Sequence, residues 1–105
     1  MTLSYHIEAE ITFLTSKDGG RKKNVTNGYR PQLHYDGRDW DACHEYPDVK
    51  QAEPGQKVRT YLTFLSPKNH AGRIYKGMAF LIREGKKIVG YGSVTRILDL
   101  PSKVS

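Results

Sequence analysis

The sequence predicts an all-β protein of about six short strands, a small barrel or a sandwich, on three observations. Apolar and polar residues alternate with a period of two over four long segments. Those segments are rich in β-branched and aromatic residues, which fit a pleated, half-buried surface. Turn dipeptides fall between the segments, whereas no convincing helical period appears. The chain has 105 residues, which is one domain's worth. A single domain over 1–105 is expected, with the strands over about 5–98 and short tails at both ends.

Taken in order, "HIEAEITFL" directs Ile7, Ala9, Ile11 and Phe13 one way, and Glu8, Glu10 and Thr12 the other. Gly19-Gly20 and Asn27-Gly28 then punctuate a basic stretch, and "YRPQLHY" reads as a strand despite Pro31 at its mouth. A proline removes a ladder donor, so this one must sit where the donor would have faced solvent or an edge. Asp36-Gly37 is a turn before a strand carrying Trp40, and Pro54-Gly55 is a turn before "KVRTYLTFL". That strand aligns Val58, Thr60, Leu62 and Phe64 on one face. "GMAFLIREG" does the same with Met78, Phe80 and Ile82. Glu84-Gly85-Lys86-Lys87 reads as a hairpin loop into "KIVGYGSVTRIL". Strict alternation there places Val89, Tyr91, Ser93, Thr95 and Ile97 on one side, and Ile88, Gly90, Gly92 and Val94 on the other. Gly90 and Gly92 suit a strand bending at a barrel corner or passing under a bulky neighbour.

Several chemistries are excluded by what the sequence does not contain. The four histidines share no metal-ligand spacing with one another or with the single cysteine, Cys43. His34 and His44 fall on neighbouring strands, where a hairpin would let them approach, but they read as partly exposed strand histidines rather than a paired site. Asp36 to Asp41 lacks the spacing and terminal glutamate of a calcium loop. No phosphate cradle of Walker type is present, so neither nucleotide hydrolysis nor any cofactor is expected. One cysteine and no basic-then-apolar leader fit a cytoplasmic location, and no apolar run is long enough to cross a membrane as a helix.

Seventeen lysines and arginines against eleven acidic residues give a formal charge of +6, which favours an anionic partner. The basic residues cluster in three loops: Arg21-Lys22-Lys23, then Lys68, Arg73 and Lys76, then Lys86-Lys87. If the fold gathers these loops at one end they form one patch, with Tyr29, Tyr75 and Tyr91 as flat surface for bases or sugars.

Three pieces together, "GGR…GYRPQ", Pro54-Gly55 before "KVRTYLTFLSP", and "GMAFLIREGKKIVGYGSVTRIL", resemble the C-terminal, third domain of bacterial elongation factor Tu. The order and spacing of these motifs carry the resemblance over about Ile7 to Leu98. It implies an antiparallel six-stranded β-barrel whose surface meets the T-stem of aminoacyl-tRNA. It also implies that Gln32, Glu84 and Gly85 stand at RNA-contacting positions of that family. A glycine lets the backbone approach a phosphate closely, and the neighbouring Lys86 and Lys87, with Lys22 and Lys23, add charge. Arg30 is expected to pair with a carboxylate.

Departures from the family pattern weigh on function. A family threonine that contacts RNA is replaced here by Asp41, which repels phosphate, and the loop after Pro67 is longer by about four residues. Nothing in the sequence matches the GTPase domain or the second barrel, so the resemblance implies a non-enzymatic module. Three roles stay open. The first is a translation-factor-like module contacting tRNA or other structured RNA through phosphate and 2′-hydroxyl groups. The second is a protein-interaction module for an acidic partner, as a mimic, decoy or competitor of the elongation factor barrel. The third is an excised copy without a role of its own.

Overall fold

Period-two alternation at the start of the chain becomes β1 (Ile7–Phe13), in which Ile7, Ala9, Ile11 and Phe13 are all buried. The computed structural model describes residues 5–100, so the outermost parts of the two expected tails lie outside the described residues. Along the chain follow β2 (Val25–Thr26), β3 (Gln32–Tyr35), β4 (Arg38–Glu45), β5 (Gln51–Ala52), β6 (Lys57–Phe64), β7 (Ala79–Glu84) and β8 (Lys87–Ile97). Six of them close an antiparallel barrel in the order β1-β6-β4-β3-β7-β8, while β2 and β5 pair as a two-residue ribbon beside it. The all-β class and the six-stranded antiparallel barrel are therefore as the sequence predicts. No helix of the described residues is long and apolar enough to cross a membrane.

Inward side chains of alternate positions fill the barrel: Leu33 and Tyr35 from β3, Ala42 and His44 from β4, Val58, Thr60, Leu62 and Phe64 from β6, and Phe80 and Ile82 from β7. Glu8 points outward from β1 as expected, yet it is only 7% exposed. Thr95 Oγ1 donates to it at 2.8 Å, Arg96 at 2.9 Å, and Arg59 lies 3.5 Å away, so long cationic stems cover the carboxylate.

Strict alternation fails along β8. Ile82 pairs with Gly90 and Arg83 with Ile88, leaving Val89 as an extra residue. A second shift sets Glu8 opposite Arg96 and Ala9 opposite Val94, so that Thr95 is the extra residue. Val89 and Val94 are consequently both buried, although counting by twos puts them on opposite faces. Between the bulges the two glycines admit the neighbouring strand. A Cβ on Gly92 would lie 2.6 Å from the Glu10 carbonyl oxygen and 2.8 Å from the Phe80 ring, and one on Gly90 would lie 2.9 Å from the Thr12 carbonyl oxygen. The expectation of a strand passing under a bulky neighbour holds at Gly92.

Strand direction sorts the loops between the two ends of the barrel. The loop 65–78 joins the end of β6 to the start of β7, and the Gly85-Lys86 turn lies at the other end of β7. Arg73 of that long loop pairs with Asp36 at 2.8 Å in the β3–β4 turn. The long loop also folds inward: His70 is buried, stacked on Phe64 at 3.9 Å between ring centroids, and shares a 2.6 Å hydrogen bond with the Tyr35 hydroxyl. The three basic loops thus do not gather at one end.

Candidate nucleic-acid interface

The two basic loops that do meet are Arg21-Lys22-Lys23 and the β7–β8 turn. Their junction begins with a single 3-10 turn, Ser16–Asp18, capped by Thr15 and closed by a left-handed Gly19. Gly20 then presses against the Leu14 backbone so closely that no side chain fits, and its amide donates to the Thr15 carbonyl at 2.8 Å. This geometry delivers Arg21 to Glu84 at the end of β7. Arg21 and Glu84 form an ion pair, the Tyr29 hydroxyl donates to the same carboxylate at 2.6 Å, and the guanidinium lies 5.2 Å over the Tyr29 ring.

The electrostatics follow from the geometry. Partial burial works to raise the Glu84 pKa, but hydrogen bonds from Tyr29 and Arg21 outweigh it and hold the carboxylate below its ordinary value. Burial and the Glu84 charge push the Tyr29 phenol well up. Glu84 is therefore an internal anchor: its charge is met within the protein.

Of the other residues singled out from sequence, Gln32 and Gly85 are joined directly, the Gly85 amide donating to Gln32 Oε1 at 3.1 Å. The Gly85 amide is thus engaged. The glycine itself is required by a φ of 62° at the first position of a two-residue turn. Lys86 completes that turn, Lys87 follows it, and both are exposed, as are Lys22 and Lys23 on the facing loop. Lys87 is close enough to Glu84 to help lower its pKa. Glu84, Gly85, Gln32 and the β7–β8 lysines therefore share one end of the barrel with the Arg21 loop.

Other expectations are corrected. Arg30 is exposed and pairs with no carboxylate among the described residues; Arg21 has that part instead, because the Gly-Gly turn aims it at Glu84. Pro31 stands one position before β3, so its missing donor falls at the end of the ladder, while its carbonyl still accepts from Ala42 at 3.4 Å. The tyrosines do not form one surface. Tyr29 packs between Phe13 and His44, Tyr75 is exposed on the distant loop, and Tyr91 stands on the barrel wall opposite Leu81 and Thr12. Lys68, Arg73 and Lys76 belong to the opposite end.

His34 and His44 do not meet, since His34 lies opposite Asp39, five positions from His44 along β4. His34 Nδ1 is 2.7 Å from Asp39, which Arg83 also approaches at 3.3 Å. His44 is buried among Phe13, Tyr29 and Tyr46 with only Nδ1 bonded, to the Tyr46 hydroxyl at 2.9 Å. Cys43 is half-buried on β4. No three metal-ligating side chains converge among the described residues.

Asp41 lies directly across from Gln32 on the outer face, its carboxylate exposed and without a hydrogen-bonded partner among the described residues. Sequence reasoning missed the Arg21–Tyr29–Glu84 cluster, although the signal was present: an arginine after a Gly-Gly turn and a glutamate before a hairpin glycine. The barrel order, the "GYRPQ" strand start and the Arg-Glu-Gly hairpin all lead to one assignment. A family model described as the elongation factor Tu C-terminal domain matches residues 1–98, and the chain belongs to that family.

Proposed function

We propose that this translation-factor-like β-barrel is a non-enzymatic binding module for structured RNA of tRNA type, held by its phosphates at the end where the β7–β8 turn meets the Arg21 loop. One observation carries the reading: the Arg21–Tyr29–Glu84 cluster ties the two loops together, so four exposed lysines, Lys22, Lys23, Lys86 and Lys87, occupy neighbouring positions. The cluster satisfies the hairpin acid, Glu84, internally, and the four lysines outnumber the one exposed acid of the Arg21 loop, Asp18, which leaves the rim net positive toward a ligand. Lysine contacts to phosphate carry no sequence information, so binding is weak, general and salt-sensitive. Four such contacts give a slope of log affinity against log salt of about −3 to −4.

A second reading has its own support. The Gly85 amide and the Glu84 carboxylate are both engaged within the protein, so the rim offers side-chain cations alone, and these suit an acidic protein surface equally well. Titration against bulk tRNA at two salt concentrations, with an unrelated duplex RNA as control, separates the two. Saturable, tRNA-preferring binding that weakens with salt is expected. No binding at low salt overturns the RNA reading and leaves the acidic protein partner.

A further inference from the structure

We propose a second site at the other end of the barrel, where Tyr75 and Arg73 of the long loop, with Asp36, take an unpaired, amino-bearing base of a single-stranded nucleic acid. The site stands apart from the lysine rim and from the β7–β8 turn. Its loop, 65–78, is the one that is longer here than in the family pattern.

The loop is shaped by its own sequence. His70, Ile74 and Met78 are buried and anchor it, while Arg73, Tyr75 and Lys76 between them are turned outward. Gly72 and Gly77, with φ of 72° and 89°, allow two tight turns. In these the Arg73 amide donates to the His70 carbonyl and the Met78 amide to the Tyr75 carbonyl, each at 3.0 Å. The Gly77 amide then donates to the Val94 carbonyl at 2.7 Å, which fastens the loop to β8. The outward side chains therefore stand on a fixed backbone, so binding has less chain to order.

Tyr75 is 63% exposed, and its ring and hydroxyl have no partner among the described residues. Arg73 is held from two sides: its guanidinium lies 5.9 Å over the Tyr35 ring, and Nη2 donates to Asp36 Oδ2 at 2.8 Å. Its remaining donors are left for an anion. Asp36 Oδ1 has no hydrogen-bonded partner among the described residues, on a side chain that is 70% exposed. These three residues line one groove of about 370 Å³ with Tyr35 and Met78.

The loop carries three cations and no acid, which calls for an anionic ligand. A flat, unpartnered ring beside a guanidinium suits a base stacked on Tyr75, with its phosphate on Arg73 and Lys76. Asp36 decides between an acidic peptide and a nucleotide. Its carboxylate only accepts, so it repels an acidic side chain but receives the exocyclic amine of cytosine or adenine. Uracil presents a carbonyl oxygen instead. A duplex keeps its bases stacked on one another, so the ligand is single-stranded.

Fluorescence anisotropy with short, labelled oligocytidylate and oligouridylate, at one fixed salt concentration, tests the assignment on the full chain, Tyr75→Ala and Tyr75→Phe. Equal melting temperatures verify that both variants are folded. The chain should bind oligocytidylate severalfold more tightly than oligouridylate. Tyr75→Ala should weaken both about tenfold, and Tyr75→Phe, which keeps the ring, should retain most of the affinity. Unchanged binding in Tyr75→Ala overturns the inference, because charge alone, the lysine rim's included, then accounts for it. Equal affinity of the unaltered chain for the two oligomers also overturns it, since nothing then reads the amine. Failure of both to bind at low salt overturns it as well, and leaves tRNA binding at the lysine rim to its own titration.

Discussion

Arg21 and Glu84, 63 residues apart in the chain, meet at one end of the barrel and hold two otherwise separate basic loops side by side. The pair is not a simple surface salt bridge. Tyr29 donates to the same carboxylate and lies under the guanidinium, so three side chains from three segments share one junction. Exposed ion pairs are worth little on their own, whereas a partly buried, hydrogen-bonded cluster is costly to break.

Glu84→Ala should therefore lower stability by about 1–3 kcal/mol, chiefly by leaving the half-buried Tyr29 hydroxyl and Arg21 guanidinium without their acceptor. Amide hydrogen exchange over residues 21–24 should quicken while that of β6 is unchanged. If the exchange of the loop does not change, the junction is not what orders it.

Gly92→Ala should destabilise by about 2–3 kcal/mol, since its Cβ lands on both the Glu10 carbonyl and the Phe80 ring, and backbone cannot give way there as a side-chain tip can. Gly28→Ala meets nothing within 4 Å but must adopt a φ of 95°, a strain of about 1–2 kcal/mol. Urea denaturation of both variants checks the order, and a Gly92→Ala variant as stable as the parent chain would refute the close approach of β8 to β1.

Acid should unfold the barrel through its buried histidines. Burial lowers the His44 pKa to about 3, and burial together with the Arg73 and His6 charges lowers that of His70 to about 4, against an ordinary value of 6.5. Below 6.5 the unfolded chain takes up protons that the folded chain refuses. Stability is then complete above that pH and falls on acidification toward 4, by up to about 1.4 kcal/mol per pH unit for each histidine. Glu8, held low by its hydrogen bond from Arg96, adds a loss below its ordinary value of 4.5 as pH falls through its folded pKa. Urea midpoints at pH 7, 5.5 and 4.5 should decline steadily. Equal midpoints at pH 7 and 5.5 would mean that neither ring is buried neutral.

Much of this architecture was legible in the amino acids. β1 and β6 obey period two along their whole length, because each presents one face to the core and neither carries an extra residue. Asp36-Gly37 marked its hairpin by the positive φ that both of its residues adopt. β8 was legible as a strand but not in its facing: bulges at Val89 and Thr95 shift the register, and only the pairing with β7 and β1 reveals them. His44 read as a partly exposed strand residue because its burial is set by Tyr29 and Phe13, contacts that sequence spacing does not encode. At the candidate site, Gln32, Gly85 and the lysines could be singled out from motif and charge. The choice of Arg21 over Arg30 as the partner of Glu84 could not, since it depends on how the Gly19-Gly20 turn aims the chain.

The most direct test of the lysine rim reverses its charge and reads the salt slope of tRNA binding. Lys86→Glu combined with Lys87→Glu removes two of four proposed phosphate contacts, and because Lys87 is the register partner of Glu84, an equal melting temperature of the double variant verifies that the Arg21–Glu84 junction is kept. The double variant should bind more weakly to every RNA tried, and its slope should flatten by about 1.5–2. Unchanged affinity and an unchanged slope would contradict the account and remove the rim from RNA binding.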